Sequence, residues 1–134
     1  MLVNQLAKSL SVTPDTVRYY TRINLLQPRI NPVNGYREYG DKETRRLKFI
    51  LSARQIGFSV NDIKNILAEA DEQKSPCSTV RRLIEQRLQE TEQRFEETIE
   101  LRDRMRKVLE EWNSLPDRLP TNKMICHLIE KHLT

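Results

Sequence analysis

The sequence predicts an all-α fold that carries one small β-hairpin and continues into a long coiled-coil helix. Three observations predict it. Short apolar stripes at helical spacing recur up to about residue 70, and the dipeptide Asn34-Gly35 marks a hairpin turn among them. Beyond Pro76, neither glycine nor proline occurs until after Trp112.

The charge of the chain is concentrated in its first half. Residues 1–66 carry 11 Lys/Arg against 5 Asp/Glu, a net of +6, whereas the remaining residues carry 12 against 14, a net of −2. A basic half joined to a nearly balanced half indicates that one end of the molecule meets a polyanion.

Several classes of protein are excluded by composition. No run approaches the roughly 18 apolar residues of a membrane span, and the N-terminus lacks the apolar region of a signal peptide, so we expect a soluble, cytoplasmic protein. Three glycines in 134 residues disfavour a glycine-rich phosphate loop. No Ser/His/Asp, Cys/His or paired-carboxylate set stands at catalytic spacing, and an enzyme is therefore not predicted.

The sequence marks the end of a first helix and the beginning of a second one. Apolar residues at helical spacing define a first helix over residues 2–10, and Thr13-Pro14 is a good N-cap followed by a good first helical residue. The second helix would direct Val17 and Tyr20 into a core. Two short helices joined by a tight turn predict a helix-turn-helix.

A small hairpin, or wing, follows this pair. Asn34-Gly35 fits a type I′ turn, and Tyr36-Arg37-Glu38-Tyr39 reads as a short strand after it. Asp41 is expected to cap a third helix that stops at Gly57. Residues 59–62 form a capping-box-like start for a fourth helix, whose apolar stripe comprises Ile63, Ile66 and Leu67.

Residues 75–112 predict one long helix, roughly 50 Å in length at 1.5 Å per residue. Steps of four and three residues along it give a seam in which six of nine positions are apolar: Ile84, Leu88, Thr91, Phe95, Thr98, Arg102, Met105, Leu109 and Trp112. The remaining chain is too short to cover this stripe. We therefore expect a homodimer.

Four sequence segments, in this order and spacing, resemble the MerR-type transcriptional regulators. They are Thr16-Val17-Arg18-Tyr19-Tyr20, Leu25-Leu26-Gln27-Pro28, Asn34-Gly35-Tyr36-Arg37-Glu38-Tyr39, and residues 46–59 from Arg46-Leu47-Lys48 to Gly57-Phe58-Ser59. Thr21 stands where the family usually has Glu, and Asn24 where it usually has Gly. The resemblance covers most of the chain.

The resemblance implies a winged helix-turn-helix DNA-binding domain over residues 1–70 and an antiparallel coiled-coil dimerisation helix over residues 75–112. Such a homodimer binds a palindromic operator in double-stranded promoter DNA. On sensing its effector it bends and untwists that DNA so that RNA polymerase can use the promoter, which makes it an activator. Position by position, the DNA-contacting residues would be Thr16, Arg18, Tyr19, Tyr36, Arg37, Tyr39 and Arg54, and a place in the core is an open alternative for Tyr39.

The resemblance also implies an effector site near the C-terminal segment, residues 113–134. An antiparallel dimer would bring Cys77 of one subunit near Cys126 of the other, with His127 as a further candidate ligand. Thiolate and imidazole suit Zn²⁺ and other soft divalent ions, and a cysteine at position 77 is typical of the zinc, cadmium, lead and mercury sensors. The sequence departs from that branch at Trp112, where a further cysteine usually stands.

Three interpretations of the sensor stay open. The first is a divalent-metal sensor with an altered ligand set. The second is a sensor of oxidants or electrophiles that uses Cys77, since the first turn of a helix favours a thiolate. In the third, both cysteines are idle and an organic ligand is sensed, for example by stacking on Trp112. A coiled-coil adaptor without DNA binding is a remote alternative that leaves the basic wing unexplained.

Overall fold

The computed structural model describes residues 1–132, and it is helical apart from one antiparallel hairpin, as the sequence predicts. None of the described helices is long and apolar enough to cross a membrane. The elements in chain order are α1 (Val3–Ser9), α2 (Pro14–Arg22), β1 (Arg29–Ile30), β2 (Arg37–Glu38), α3 (Asp41–Ile56), α4 (Val60–Asp71), α5 (Cys77–Trp112) and α6 (His127–His132).

The starts of α2 and α4 confirm the predicted caps. The Thr13 hydroxyl accepts from the Thr16 amide at 3.2 Å, with Pro14 as the first helical residue. Ser59 and Asp62 form a reciprocal capping box, with each side chain accepting from the other's amide at 3.0 Å. Each cap satisfies amides that have no partner within the helix.

The prediction that Asp41 caps α3 is wrong. Gly40 is the N-cap residue, no side chain caps the helix there, and Asp41 is the first helical residue. Its carboxylate in the first turn still interacts favourably with the helix dipole. The end of α3 is as predicted, because Gly57 adopts φ 121° and terminates the helix.

The departure from the family pattern at Asn24 has a structural explanation. Asn24 adopts a left-handed φ of 67° immediately after α2. The Leu25 amide donates to the Tyr20 carbonyl at 3.0 Å and the Asn24 amide donates to the Thr21 carbonyl at 3.0 Å, which is a Schellman ending. Asparagine tolerates the left-handed region better than other non-glycine residues, so it can replace the usual glycine.

The hairpin exists, but its turn is not of the predicted type I′. Arg29 pairs with Glu38 and Ile30 with Arg37, so six residues connect the strands. A type I′ turn needs a positive φ at both central residues, whereas only Gly35 of the Asn34-Gly35 pair has one. The connection is instead organised by Asn31, whose side-chain oxygen accepts from the Val33 amide at 2.9 Å.

The first of two compact units comprises Met1–Arg87. Its core joins all four short helices to the beginning of α5, where Leu83 is buried. Two polar contacts accompany this packing: the Thr79 hydroxyl donates to Glu69 at 2.6 Å, and Arg87 lies 3.1 Å from the buried Asp62 carboxylate. The core residues are Leu6, Ala7, Val17, Tyr20, Leu25, Leu26, Tyr39, Leu47, Ile50, Ala53, Phe58, Ile63, Ile66, Leu67 and Leu83.

The second unit begins at Leu88 and contains the rest of α5, a connecting loop and α6. In the described single chain the large apolar seam residues of this part of α5 are more than half exposed, apart from Trp112, which is half-buried. The loop contains a turn in which the Thr121 amide donates to the Met124 carbonyl at 2.8 Å. The Glu130 carboxylate accepts from the amides of Ile125 and Cys126, which anchors the start of α6.

Candidate DNA-binding surface and effector site

The outer face of α2 presents the side chains expected to read DNA. Burial of Val17 and Tyr20 fixes the rotation of the helix, which leaves Arg18 and Tyr19 at its surface. The Tyr19 ring packs edge-on against Tyr20 at 5.1 Å, and the Arg22 guanidinium lies 5.6 Å from the Tyr19 ring centroid. These contacts support the orientation of Tyr19 while its outer edge remains accessible.

Arg18 and the wing line one groove. Its volume is about 520 Å³, and it lies between the start of α1, Arg18 on α2, and the wing residues Gly35, Tyr36 and Arg37. Tyr36 is 60% exposed, and Arg37 is also exposed. The structure therefore brings three of the predicted DNA-contacting residues to one basic surface with two guanidinium groups and a phenol. Arginine can pair with phosphate or guanine through its planar donor fork, and tyrosine can donate to phosphate.

Tyr39 lies in the core and not on this surface, which contradicts the predicted DNA contact and supports the alternative. It is 1% exposed, and its hydroxyl forms a 2.7 Å hydrogen bond with the buried Thr21 hydroxyl, which itself donates to the Val17 carbonyl. The Tyr39 backbone also pairs with that of Met1. A side chain enclosed in this way cannot reach a phosphate, so Tyr39 acts as a structural link between α2 and the end of the wing.

The two remaining predicted contacts lie at the surface in different settings. Thr16 is half-buried, and its hydroxyl forms a 2.9 Å hydrogen bond with that of Thr13 at the start of α2. Arg54 is exposed on α3 and donates to the Phe58 carbonyl at 2.9 Å, which supports the turn into α4. That bond involves one of the five donors of the guanidinium group, and the others can still approach a DNA backbone.

Sequence reasoning missed Asp15, the residue in direct contact with Arg18. The Arg18 Nη1 donates to Asp15 Oδ1 at 2.9 Å, and both side chains are at least half exposed. The available signal was their i, i+3 spacing with opposite charges on one helix face. Asn31, which organises the wing loop, was also missed because its role depends on a backbone conformation that the dipeptide signal at 34–35 did not reveal.

The candidate effector residues lie at the N-terminal ends of two helices, α5 and α6. Cys77 is the first residue of α5 and is exposed, whereas Cys126 precedes α6 and is half-buried. The His127 ring nitrogen Nε2 lies 2.8 Å from the Pro116 carbonyl oxygen. Among the described residues of one chain, no group of three or more His, Cys, Asp or Glu side chains is arranged to hold a metal ion.

A helix-turn-helix beside an arginine-bearing wing in a basic unit defines a winged helix-turn-helix DNA-binding protein. Residues 1–70 match the family described as MerR HTH family regulatory protein, and residues 44–108 match the family described as MerR, DNA binding. The chain belongs to the MerR family of transcriptional regulators. This membership replaces the alternative of a coiled-coil adaptor, and no enzymatic family is indicated.

Individual relatives and solved structures agree with this assignment. The chain is 38% identical over 96 residues to the HTH-type transcriptional regulator ZntR of Escherichia coli K12, covering 71% of this chain and 68% of that protein. It is 32% identical over 95 residues to heavy metal-dependent transcription regulator 2 of Rhizobium meliloti, covering 71% and 65%. The fold matches the regulator PbrR691 from Ralstonia metallidurans in complex with lead(II), with a TM-score of 0.74, 20% identity and 98% of each chain covered. MerR regulators act as dimers, and members of the family have been solved with promoter DNA.

Proposed function

We propose that this MerR-type transcriptional regulator senses a soft divalent metal ion and changes the shape of its promoter DNA in response. The observation that carries the proposal is the presence of two non-disulfide cysteines and an adjacent histidine at the starts of α5 and α6, in a chain similar to a heavy metal-dependent regulator and to a lead-bound one. Thiolate and imidazole are the ligands that zinc and softer divalent ions prefer.

The proposed site is shared between subunits. A single described chain provides no cluster of three ligands, and the family acts as a dimer. We therefore assign Cys77 to one half of the site and Cys126 with His127 to the other half, contributed by the partner. A site of this kind couples metal binding to the geometry of the dimer, which in turn sets the positions of the two recognition helices on DNA.

His127 is suited to act as a ligand in its observed conformation. A carbonyl oxygen can only accept, so the contact with Pro116 requires a proton on Nε2. In the neutral ring the unprotonated Nδ1 is then the nitrogen that can bind a metal. A hydrogen bond from the second ring nitrogen to a carbonyl is the usual way in which proteins orient a metal-binding histidine.

The neighbouring side chains limit the alternatives for a fourth ligand. Glu130 accepts from two backbone amides through one carboxylate oxygen, which occupies it structurally. Trp112 occupies the position where the metal-responsive branch usually has a cysteine and cannot bind a metal through a thiolate. Asp117 is exposed, and its carboxylate is a ligand type suited to zinc or harder ions. The side chain of His132 lies outside the described residues.

In this proposal, DNA is bound at the groove between α2 and the wing. Arg18 and Tyr19 would contact base edges and phosphates from the helix, while Tyr36 and Arg37 would contact the adjacent backbone from the wing. Arg54 would add a phosphate contact from α3. Effector binding at the dimer ends would alter the relative placement of two such surfaces and hence the bend of the DNA between them.

The experiment is a titration of the anaerobically reduced dimer with Zn²⁺, Cd²⁺, Pb²⁺, Hg²⁺, Co²⁺ and Cu⁺, followed by thiolate absorbance and by metal-dependent transcription from a bound promoter. We expect tight binding of a divalent ion that is lost in both Cys77→Ser and Cys126→Ser, while affinity for DNA is nearly unchanged. Ser78→Ala, an adjacent exposed substitution in the same turn, is the matched control and should retain induction.

Two outcomes would contradict the metal proposal. If Cys77→Ser retains metal-dependent transcription, Cys77 is not a ligand. If the wild-type dimer binds no metal but responds to peroxide or an electrophile, the second candidate function holds, in which the exposed Cys77 thiol is oxidised or alkylated. Neither outcome affects the assignment to the MerR family.

A further inference from the structure

The recognition helix carries an acidic side chain on the surface that is expected to face DNA. Asp15 lies one turn before Arg18, and its side chain is 93% exposed. An exposed carboxylate beside a polyanion repels phosphate, so its presence on this surface opposes DNA binding by simple charge. Its one contact with another side chain that the structure describes is the 2.9 Å hydrogen bond from Arg18 Nη1 to Asp15 Oδ1.

Fold stability accounts for the Asp15 carboxylate, which lies in the first turn of α2 and interacts favourably with the helix dipole, but it does not account for the bond with Arg18. Both partners are largely solvated, and exposed ion pairs three residues apart contribute little to stability. The start of α2 is already fixed by the Thr13 cap and by Pro14. The pair does, however, restrain the guanidinium group of Arg18, which lines the groove shared with Tyr36 and Arg37.

We propose that Asp15 is a positioning residue that holds the Arg18 guanidinium in the orientation needed to read a base, and that it thereby sets the specificity of DNA binding. The inference rests on the proposed contact between Arg18 and DNA. The Asp15 bond uses Nη1, which leaves Nε and Nη2 on the guanidinium edge that can pair with the O6 and N7 atoms of guanine.

The arrangement has two effects on recognition. A restrained arginine loses less side-chain freedom when it pairs with a base, which favours the specific complex. The Asp15 carboxylate also competes with phosphate for Arg18, which weakens binding in registers where the arginine would only meet the DNA backbone. Both effects act on the ratio of specific to non-specific affinity.

The test compares affinities for a duplex that the wild-type protein selects from a random-sequence library with affinities for a scrambled duplex of the same composition. Asp15→Asn is expected to lower the ratio of the two affinities by about three- to tenfold, which corresponds to the ordering of one flexible side chain. In the Arg18→Ala background the same substitution should leave the ratio unchanged, because Asp15 acts through Arg18.

The matched control is Glu72→Gln. It removes the same charge from another exposed ion pair, Glu72–Lys74 at 3.2 Å, which lies at the C-terminal end of α4. It should raise affinity for both duplexes equally at low salt or not at all, and leave their ratio at the wild-type value. Thermal unfolding of Asp15→Asn separates a loss of helix stability from a loss of specificity.

The test distinguishes a failure of the recognition-helix assignment from a failure of the positioning role of Asp15. If Arg18→Ala alone keeps the wild-type ratio of affinities for the selected and scrambled duplexes, α2 is not the recognition helix. The positioning role of Asp15 is then overturned as well. If Arg18→Ala abolishes specificity but Asp15→Asn does not change the ratio, only the positioning role is overturned. An effect of Asp15→Asn that persists in the Arg18→Ala background also overturns it, because Asp15 would then contact a base directly, for example the amino group of cytosine.

Discussion

The two compact units of this chain differ in how far their apolar side chains are buried. Within Met1–Arg87 the core side chains of Leu6, Val17, Leu47 and Ile50 are 0% exposed. From Leu88 onward most of the large apolar residues of α5 are exposed in the single chain, as Phe95 at 65% shows, while Ile99 and Trp112 are half-buried. The first unit therefore buries its apolar surface within one chain, whereas the second presents an apolar stripe that requires a partner.

This difference separates two kinds of stability. A core buried within one chain stabilises the fold equally at every protein concentration, whereas a seam buried between two chains stabilises it by mass action. The apolar positions of the seam repeat at coiled-coil spacing, and the family acts as dimers. Substitutions in the two regions should accordingly be distinguished by whether their effects depend on concentration.

The largest expected effect is that of Leu88→Asp in the seam. Each dimer loses two buried leucine side chains, about 3–6 kcal/mol of apolar burial, and acquires two carboxylates in an apolar stripe. We expect monomers by sedimentation at concentrations where the wild type is dimeric, with loss of operator binding. Gln89→Asp, an adjacent exposed position outside the seam, is the control, and a stable Leu88→Asp dimer would reject this heptad register.

Leu47→Ala should produce the next largest effect, in the first unit. Leu47 is fully buried, and truncation of such a leucine to alanine costs about 2–5 kcal/mol. The loss should appear in chemical unfolding at all protein concentrations. Leu109→Ala, the same substitution at a 58% exposed seam position, should instead raise the Kd of dimerisation measured by sedimentation, and should lower the unfolding temperature only at concentrations at which the wild type is dimeric. Equal concentration dependence in both variants would remove the distinction between the units.

The accuracy of the sequence predictions follows a similar division. The caps Thr13 and Ser59, the stop at Gly57 and the end of α5 at Trp112 depend on neighbouring residues in the chain, and the structure confirms them. The turn at Asn34-Gly35 was misassigned because Asn31, outside the dipeptide, accepts hydrogen bonds that organise a longer loop. Local signals predict where an element begins or ends, but they do not settle which of several neighbouring residues caps a helix or organises a turn, as Gly40 in place of Asp41 and Asn31 in place of Asn34-Gly35 show.

The candidate site shows the same limit. Periodicity placed Arg18 and Tyr19 at the surface of α2 because Val17 and Tyr20 define its buried face. Tyr39 follows no such period, since its burial depends on Thr21, 18 residues earlier. The effector residues depend on contacts between two chains, and a single sequence carries no direct signal for these beyond the residue types themselves.

The smallest expected effect is that of Tyr39→Phe. This substitution tests whether Tyr39 belongs to the core or to the DNA-binding surface. Loss of the buried hydroxyl removes its hydrogen bond with Thr21 and should lower the free energy of unfolding by about 0.5–1.5 kcal/mol. Operator affinity of the folded dimer should remain at the wild-type value. Tyr36→Phe provides the opposite control, because the exposed Tyr36 hydroxyl lines the groove: its removal should leave stability unchanged and weaken DNA binding. If Tyr39→Phe instead weakens operator binding without loss of stability, its hydroxyl reaches DNA after a local opening of the wing, and the first unit is less self-contained than its burial indicates.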